Sequence, residues 1–277
     1  MNLYRFKTFR TTYYFPSIEK DHKFLYGLYT PYGKMAKLYW WIFRHVLYIR
    51  LLNKINVSEL DFPYETIVNL CPFGSKLAFN MGTPVPEQKI SILGVEPNGN
   101  KFFAKYSEKR IAIALSRNEV KVLSKIRGSV EVPEVYEYQD NGNFFFFRTS
   151  YVEGVTFSSN KLNNGIVDLA LEVNRLHLKD TNSGNLITGL SHGDFTPWNI
   201  LRKDGSYQLI DWEFADERPL GYDLFTFIYK VNKWIGTNKD LYESVIGYDR
   251  LLRVYFSNWG IEDYMPYYRF FENNHHD

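Results

Sequence analysis

Between about Ser75 and Ser107 the apolar and polar positions read as strands: KLAFNMG, KISILGV and KFFAKYS. Pro97-Asn98-Gly99-Asn100 joins the last two, and its glycine and asparagines tolerate the positive φ of a tight hairpin turn. Gly82-Thr83-Pro84-Val85-Pro86 forms a longer connection between the first two. Ser116-Arg117-Asn118-Glu119 has the form of a capping box, so a helix is predicted from Ser116, with Val120, Leu123 and Ile126 at helical spacing before Gly128. Val135 to Gln139 and Phe144 to Ser150 flank Asp140-Asn141-Gly142-Asn143, a second hairpin. The pattern thus predicts a sheet of about five antiparallel strands with one inserted helix. After YVEGVTF at 151–157, Ile166, Leu169, Ala170, Val173 and Leu176 recur along one side of a predicted helix from Asn163 to His177.

Upstream, Met35 to Ile55 reads as a helix that is apolar around most of its circumference. Lys37 and Arg44 fall on one side of its wheel, Arg50 and Lys54 on another. An interfacial helix gathers its cations on one face, so the expectation is a helix buried within its own protein, with membrane or partner contact as the alternative.

Composition narrows the class. The 277 residues are 45% apolar and 23% charged, which is the make-up of a soluble globule. The aromatic content of 18% supplies flat apolar surfaces for packing, or for stacking a base or sugar. Net charge is only +2, but residues 1–60 hold ten Lys/Arg against three Asp/Glu, leaving 23 against 28 in the rest. That basic segment suits a solvated face, an anionic lipid or a phosphorylated substrate; nucleic acid is not the expected partner. A single cysteine, Cys71, excludes an internal disulfide framework and a cysteine-built metal site. The N-terminus lacks the apolar run of a secretory signal, and no apolar run approaches the ~20 residues of a membrane span. A cytoplasmic protein is expected, with peripheral membrane association left open.

The sharpest chemistry lies in SHGDFTPWNI at 191–200 and LIDWEFA at 209–215. Asp194, Asn199 five positions later and Asp211 twelve beyond that provide the side chains with which phosphoryl transfer handles a hydroxyl and Mg²⁺. This arrangement resembles the aminoglycoside phosphotransferase and choline kinase branch of the protein kinase-like superfamily, with its HGD-x-x-x-x-N loop and I-D-[WF]-[EG] turn. The resemblance runs in order through strand lysine, helix glutamate, hairpin, hinge, catalytic loop and metal aspartate.

It implies an α+β fold of two lobes: an N-lobe antiparallel sheet with one helix, and a mainly helical C-lobe. A helical, basic and aromatic extension at 1–65 would precede a nucleotide-binding N-lobe at 66–150 and a C-lobe at 151–277 holding the catalytic loop and acceptor pocket. The implied cofactors are ATP and Mg²⁺. Asp194 would deprotonate the acceptor hydroxyl, Asn199 and Asp211 would hold the metal, and Lys105 would hold phosphates while paired with Glu119. Gly82 and Thr83 would cover the phosphates, and Ser150 and Val152 would meet the adenine edge. His192 would brace the catalytic loop and Asp223 would anchor its backbone. His275 and His276 lack grouped ligands for a metal.

Only eleven residues separate Asp211 from Asp223, too few for the peptide platform of protein kinases, so the acceptor is expected to be a small molecule or saccharide. Glu213, Asp216 and Glu217 in that interval are candidates for the acceptor pocket, as are the aromatics of 221–236. The expected activity is an ATP- and Mg²⁺-dependent kinase with an alcohol acceptor, with bacterial surface-polysaccharide metabolism as one setting. Two alternatives accompany it: a membrane-peripheral kinase of lipid-linked saccharide or lipopolysaccharide, and a nucleotide-binding pseudokinase scaffold.

Overall fold

The computed structural model describes residues 2–16, 20–31, 33–48, 54–157, 159–176, 186–235 and 240–275. The chain forms two units, residues 1–117 with 135–151, and residues 118–134 with 152–277. They form the two-lobed fold implied by the resemblance, an antiparallel sheet with a helix and a mainly helical lobe.

The first unit is built on an eight-stranded antiparallel sheet rather than five strands. The expected five are present: β4 (Lys76–Asn80), β5 (Ile90–Val95), β6 (Lys101–Ser107), β7 (Val135–Asp140) and β8 (Phe145–Ser150). Three more come from the N-terminal segment: β1 (Asn2–Lys7), β2 (Thr12–Pro16) and β3 (Lys54–Asn56). The spatial order is β3-β1-β2-β4-β5-β6-β8-β7, so this segment extends the sheet beyond β4. Strand β2 escapes pattern reading because Tyr13, Tyr14 and Phe15 are all buried, and a strand covered on both faces shows no alternation, whereas β1 does alternate, with Tyr4 and Phe6 buried and Arg5 and Lys7 exposed.

One cover is helix α1 (Gly33–Tyr48), whose Trp40 and Phe43 pack on Phe6 and Phe15 of the first hairpin. The other face carries a second core with Ile67 of α2 (Tyr64–Leu70), Phe79, Ile92 and Cys71. Helix α1 is shorter than predicted. It ends at Tyr48; residues 49–53 of the predicted helix lie outside the described residues, and Lys54 and Ile55 belong to β3. The expected packing within the protein is found on one side, through Trp40 and Phe43, while α1 leaves Met35, Leu38, Trp41 and Ile42 exposed.

Helix α3 runs from Arg110 to Ile126, six residues earlier than the capping-box pattern predicts. Ser116 is therefore no cap. It is buried inside the helix, where its hydroxyl lies 2.8 Å from the Ser107 hydroxyl at the end of β6.

The second unit takes α3 from Asn118 onward and adds β9 (Val155–Thr156), then α4 (Asn164–Asn174). The Asn163 side chain accepts the Ile166 N–H as N-cap of α4, and His177 of the predicted helix lies outside the described residues. Strands β10 (Thr188–Ser191), β11 (Ile200–Lys203), β12 (Ser206–Leu209) and β13 (Asp216–Pro219) make two small antiparallel sheets, with β9 on the edge of β11. Helices α5 (Tyr222–Ile235), α6 (Leu241–Ile246), α7 (Asp249–Ser257) and α8 (Met265–Asn274) complete the unit. No helix among the described residues is long and apolar enough to cross a membrane.

Candidate active site

The catalytic-loop candidates belong to the second unit. Strand β10 delivers the chain to Ser191, where a buried aspartate takes over the backbone. Asp223, in the first turn of α5, has no solvent exposure and accepts three donors. These are the Ser191 hydroxyl at 2.7 Å, the His192 N–H at 2.9 Å and the Gly193 N–H at 3.1 Å. A buried carboxylate needs such partners, and the α5 N-terminus adds a favourable dipole. Gly193 turns the chain at φ +81°, and a Cβ there would stand 2.2 Å from the Phe214 carbonyl oxygen, so only glycine fits.

His192 is fully buried, with Nε2 3.0 Å from the Ile210 carbonyl while Nδ1 accepts the Asp194 N–H at 3.3 Å. Those two bonds place the single ring proton on Nε2. The imidazole thus ties the catalytic-loop backbone to the end of β12, and the Trp212 ring packs beside it at 4.8 Å.

Asp194 is half-buried and held by Asn199, whose amide donates to Oδ2 at 2.9 Å and to the Asp194 carbonyl at 3.0 Å. Burial raises the Asp194 carboxyl above the ordinary carboxylate range; Asp211 adds to the rise and Lys230 opposes it. Asn199 and Asp211 are linked through the backbone, since the Ile210 N–H donates to the Asn199 carbonyl at 3.0 Å.

Asp211 adopts a left-handed conformation (φ 69°, ψ 59°) at the start of a 3-10 turn, Trp212–Phe214. This conformation is uncommon outside glycine, and aspartate is among the residues that tolerate it best. The turn is pinned by Asn118 of α3, whose amide donates to the Glu213 and Ala215 carbonyls at 3.0 and 2.9 Å. Carboxylate oxygens of Glu119, Asp211 and Glu213 consequently lie within 4.8 Å of one another, with Glu119 and Glu213 buried. Three like charges so close repel unless a cation or protons compensate, and their hard oxygens suit Mg²⁺. The donor set therefore fits the expected metal.

Among the sequence-derived metal ligands, Asp211 lies in this carboxylate cluster, whereas the Asn199 amide group is engaged by Asp194. Two participants carried little weight in the sequence. Glu213 was one of three loop acids, and only the I-D-W-E turn distinguished it. Lys230 stands seven residues after Asp223, on the same side of α5, and that spacing was its only signal.

The remaining candidates belong to the first unit, apart from Val152. Lys105 of β6 is buried, its ammonium 5.9 Å from the Phe147 ring centroid. Gly82 has φ +67°, donates its N–H to the Asn80 side chain at 3.0 Å and opens the loop before β5, in which Thr83 is exposed. Ser150 ends β8 opposite Phe102, and Val152 follows at the start of the second unit's main segment. Of the tail histidines, His275 stacks on Phe271, and His276 lies outside the described residues.

Residues 170–264 match the sequence model of the phosphotransferase enzyme family, and no curated protein matches the chain. Among solved structures the chain is similar to aminoglycoside phosphotransferase APH(3'')-Id from Streptomyces rimosus, with 14% identity over 65% of this chain and 87% of that one and a TM-score of 0.45. It is also similar to amicoumacin kinase hAmiN, with 14% identity over 61% and 70% of the two chains and a TM-score of 0.42. A third is an aminoglycoside phosphotransferase from Alicyclobacillus acidocaldarius, with 15% identity over 58% and 71% and a TM-score of 0.41. The segment that matches the phosphotransferase enzyme family model contains the whole HGD loop and I-D-W-E turn.

Proposed function

We propose that the protein is an ATP- and Mg²⁺-dependent kinase that transfers the γ-phosphate to a hydroxyl of a small-molecule or saccharide acceptor. The observation that carries this reading is Asp194, fixed by Asn199, made more basic by burial and electrostatically coupled to Asp211 of the carboxylate cluster. Glu119, Asp211 and Glu213 would hold Mg²⁺, which supplies charge neutralisation for the phosphates when bound. Asn199 keeps its side-chain oxygen as a further hard donor for the same ion.

In the reaction, Asp194 takes the proton of the acceptor hydroxyl as that oxygen bonds to the γ-phosphorus. The bond from the γ-phosphorus to the bridging oxygen breaks, ADP departs, and the proton on Asp194 passes to solvent. A raised pKa suits this step, because a carboxylate nearer neutrality is a stronger base. The second half of the reading draws on the resemblance: Lys105 holds the phosphates with Glu119 as its partner, Gly82 and Thr83 cover them, and Ser150 and Val152 meet the adenine. The acceptor would enter near Asp216, Glu217 and the first turns of α5, in a cytoplasmic setting.

Calorimetry with Mg·ATP separates the roles: Asp194→Asn should bind as tightly as the natural chain, whereas Asp211→Asn should bind at least ~10-fold more weakly. Equal affinity in all three proteins would reject the assignment. Labelled ATP offered separately to mixed peptides and to a panel of sugars and amino alcohols tests the acceptor class. Phosphopeptide without any small-molecule product would overturn it, and nucleotide binding without either product would favour the scaffold alternative.

A further inference from the structure

Helix α1 uses only one side to hold the fold. Trp40 and Phe43 are buried against the first hairpin, while Met35, Leu38, Trp41 and Ile42 are 77%, 52%, 58% and 44% exposed on the opposite side. An apolar face of this kind, displayed on a helix already anchored by its other side, marks an interaction surface. Its charge surroundings narrow the partner. Between Asp21 and Glu59 the sequence has six Lys/Arg and no carboxylate side chain.

The scatter of cations that argued against an interfacial helix came from running it through Lys54. Within Gly33–Tyr48 the cations are Lys34, Lys37 and Arg44: Lys37 and Arg44, seven residues apart, share one flank of the exposed apolar face, and Lys34 falls at helical spacing on that face near its N-terminal end. Lys37 and Arg44 are exposed, and the Arg44 guanidinium lies 5.3 Å from the Tyr26 ring centroid. Long cationic side chains beside Trp, Leu and Ile are the chemistry of a helix lying in the headgroup region of an anionic bilayer.

We propose that α1 is a peripheral docking surface for an anionic membrane, with Leu38, Trp41 and Ile42 entering the headgroup boundary and Lys37 and Arg44 meeting lipid phosphates. A second copy of the chain fits poorly, because a two-fold contact through this face would set the same acid-free, cationic segment against itself. The proposal concerns the first unit alone and does not rest on the catalytic reading.

Cosedimentation of the full chain with vesicles tests it without nucleotide or acceptor. The expected result is binding to phosphatidylcholine vesicles containing about one quarter phosphatidylglycerol, falling at least ~10-fold on phosphatidylcholine alone or in about 0.5 M NaCl. Lys37→Gln with Arg44→Gln should lower partitioning by about 30-fold, the effect of two lipid-facing cations. Leu38→Glu with Ile42→Glu should abolish it, while Val254→Glu on α7, an exposed apolar control in the second unit, should leave it unchanged. Circular dichroism and the melting temperature identify variants that have kept the fold, and because two independent pairs are changed, loss of one fold leaves the other to decide. Equal binding to neutral and anionic vesicles, or undiminished binding by either folded pair, would overturn the proposal. So would a dimer in the absence of lipid that Leu38→Glu with Ile42→Glu dissolves.

Discussion

Asp194 carries a conflict between stability and chemistry. Its carboxylate is raised by burial, so the ionised form that the proposed reaction needs is the form the fold disfavours. Replacement by asparagine keeps an oxygen for the Asn199 amide and removes the charge. Asp194→Asn should therefore lose most turnover and gain stability at neutral pH, read as a higher melting temperature than that of the natural chain. The sign follows from the raised pKa. The gap should open as pH climbs from the ordinary carboxylate range through the Asp194 pKa, and close below that range, where the natural side chain is protonated in both folded and unfolded states. Melting curves across pH for both proteins provide the check, and a variant less stable at neutral pH would contradict it. Lys230 acts in the opposite sense, lowering the Asp194 pKa. Lys230→Met should raise that pKa, and a carbon-detected NMR titration of the Asp194 carboxyl reads the shift without any substrate.

At the scale of elements, the loop is held from behind by a buried polar network. Asn174, at the end of α4, donates to the Leu190 carbonyl of β10 at 2.5 Å and accepts the Tyr255 hydroxyl of α7. Tyr255 in turn accepts the Gly221 N–H at 3.0 Å, one residue before α5 begins. Three segments that converge on Asp223 and Ser191 are thus joined through two side chains. Tyr255→Phe leaves the Gly221 N–H and the Asn174 oxygen without this hydroxyl, which should cost about 1–3 kcal/mol in urea unfolding and speed exchange of the Gly221 amide. An unchanged midpoint would mean that the network contributes nothing. None of this was legible in the sequence, where Asn174 and Tyr255 are 81 residues apart and neither sits in a motif. The candidate catalytic loop, by contrast, is a local signal: Asp194, Asn199 and Asp211 fall within one short stretch, and the structure brings the Asn199 amide onto the Asp194 carboxylate. The start of α3 was misread for a related reason. A Ser-x-x-Glu pattern reports a cap only where the preceding residues are not helical, and here RIAIAL already forms the helix.

Across the whole molecule, the seven-charge basic excess of residues 1–60 is offset by a five-charge acidic excess in the remainder, from ten against three and 23 against 28. That asymmetry is readable from the sequence, but the membership of β2 in the sheet is not, because burial on both faces erases its alternation. The first unit also contains the chain's one cysteine. Cys71 follows α2 inside the core beneath the sheet, and burial pushes its thiol up to about 12. In the folded protein it is neither accessible nor ionised, and the thiolate is the form that reacts. Alkylation can therefore proceed only when that unit opens. With no second thiol to confuse the signal, the labelling rate is an intrinsic clock for the opening of the first unit, readable by mass spectrometry in a cell extract as readily as in a purified sample.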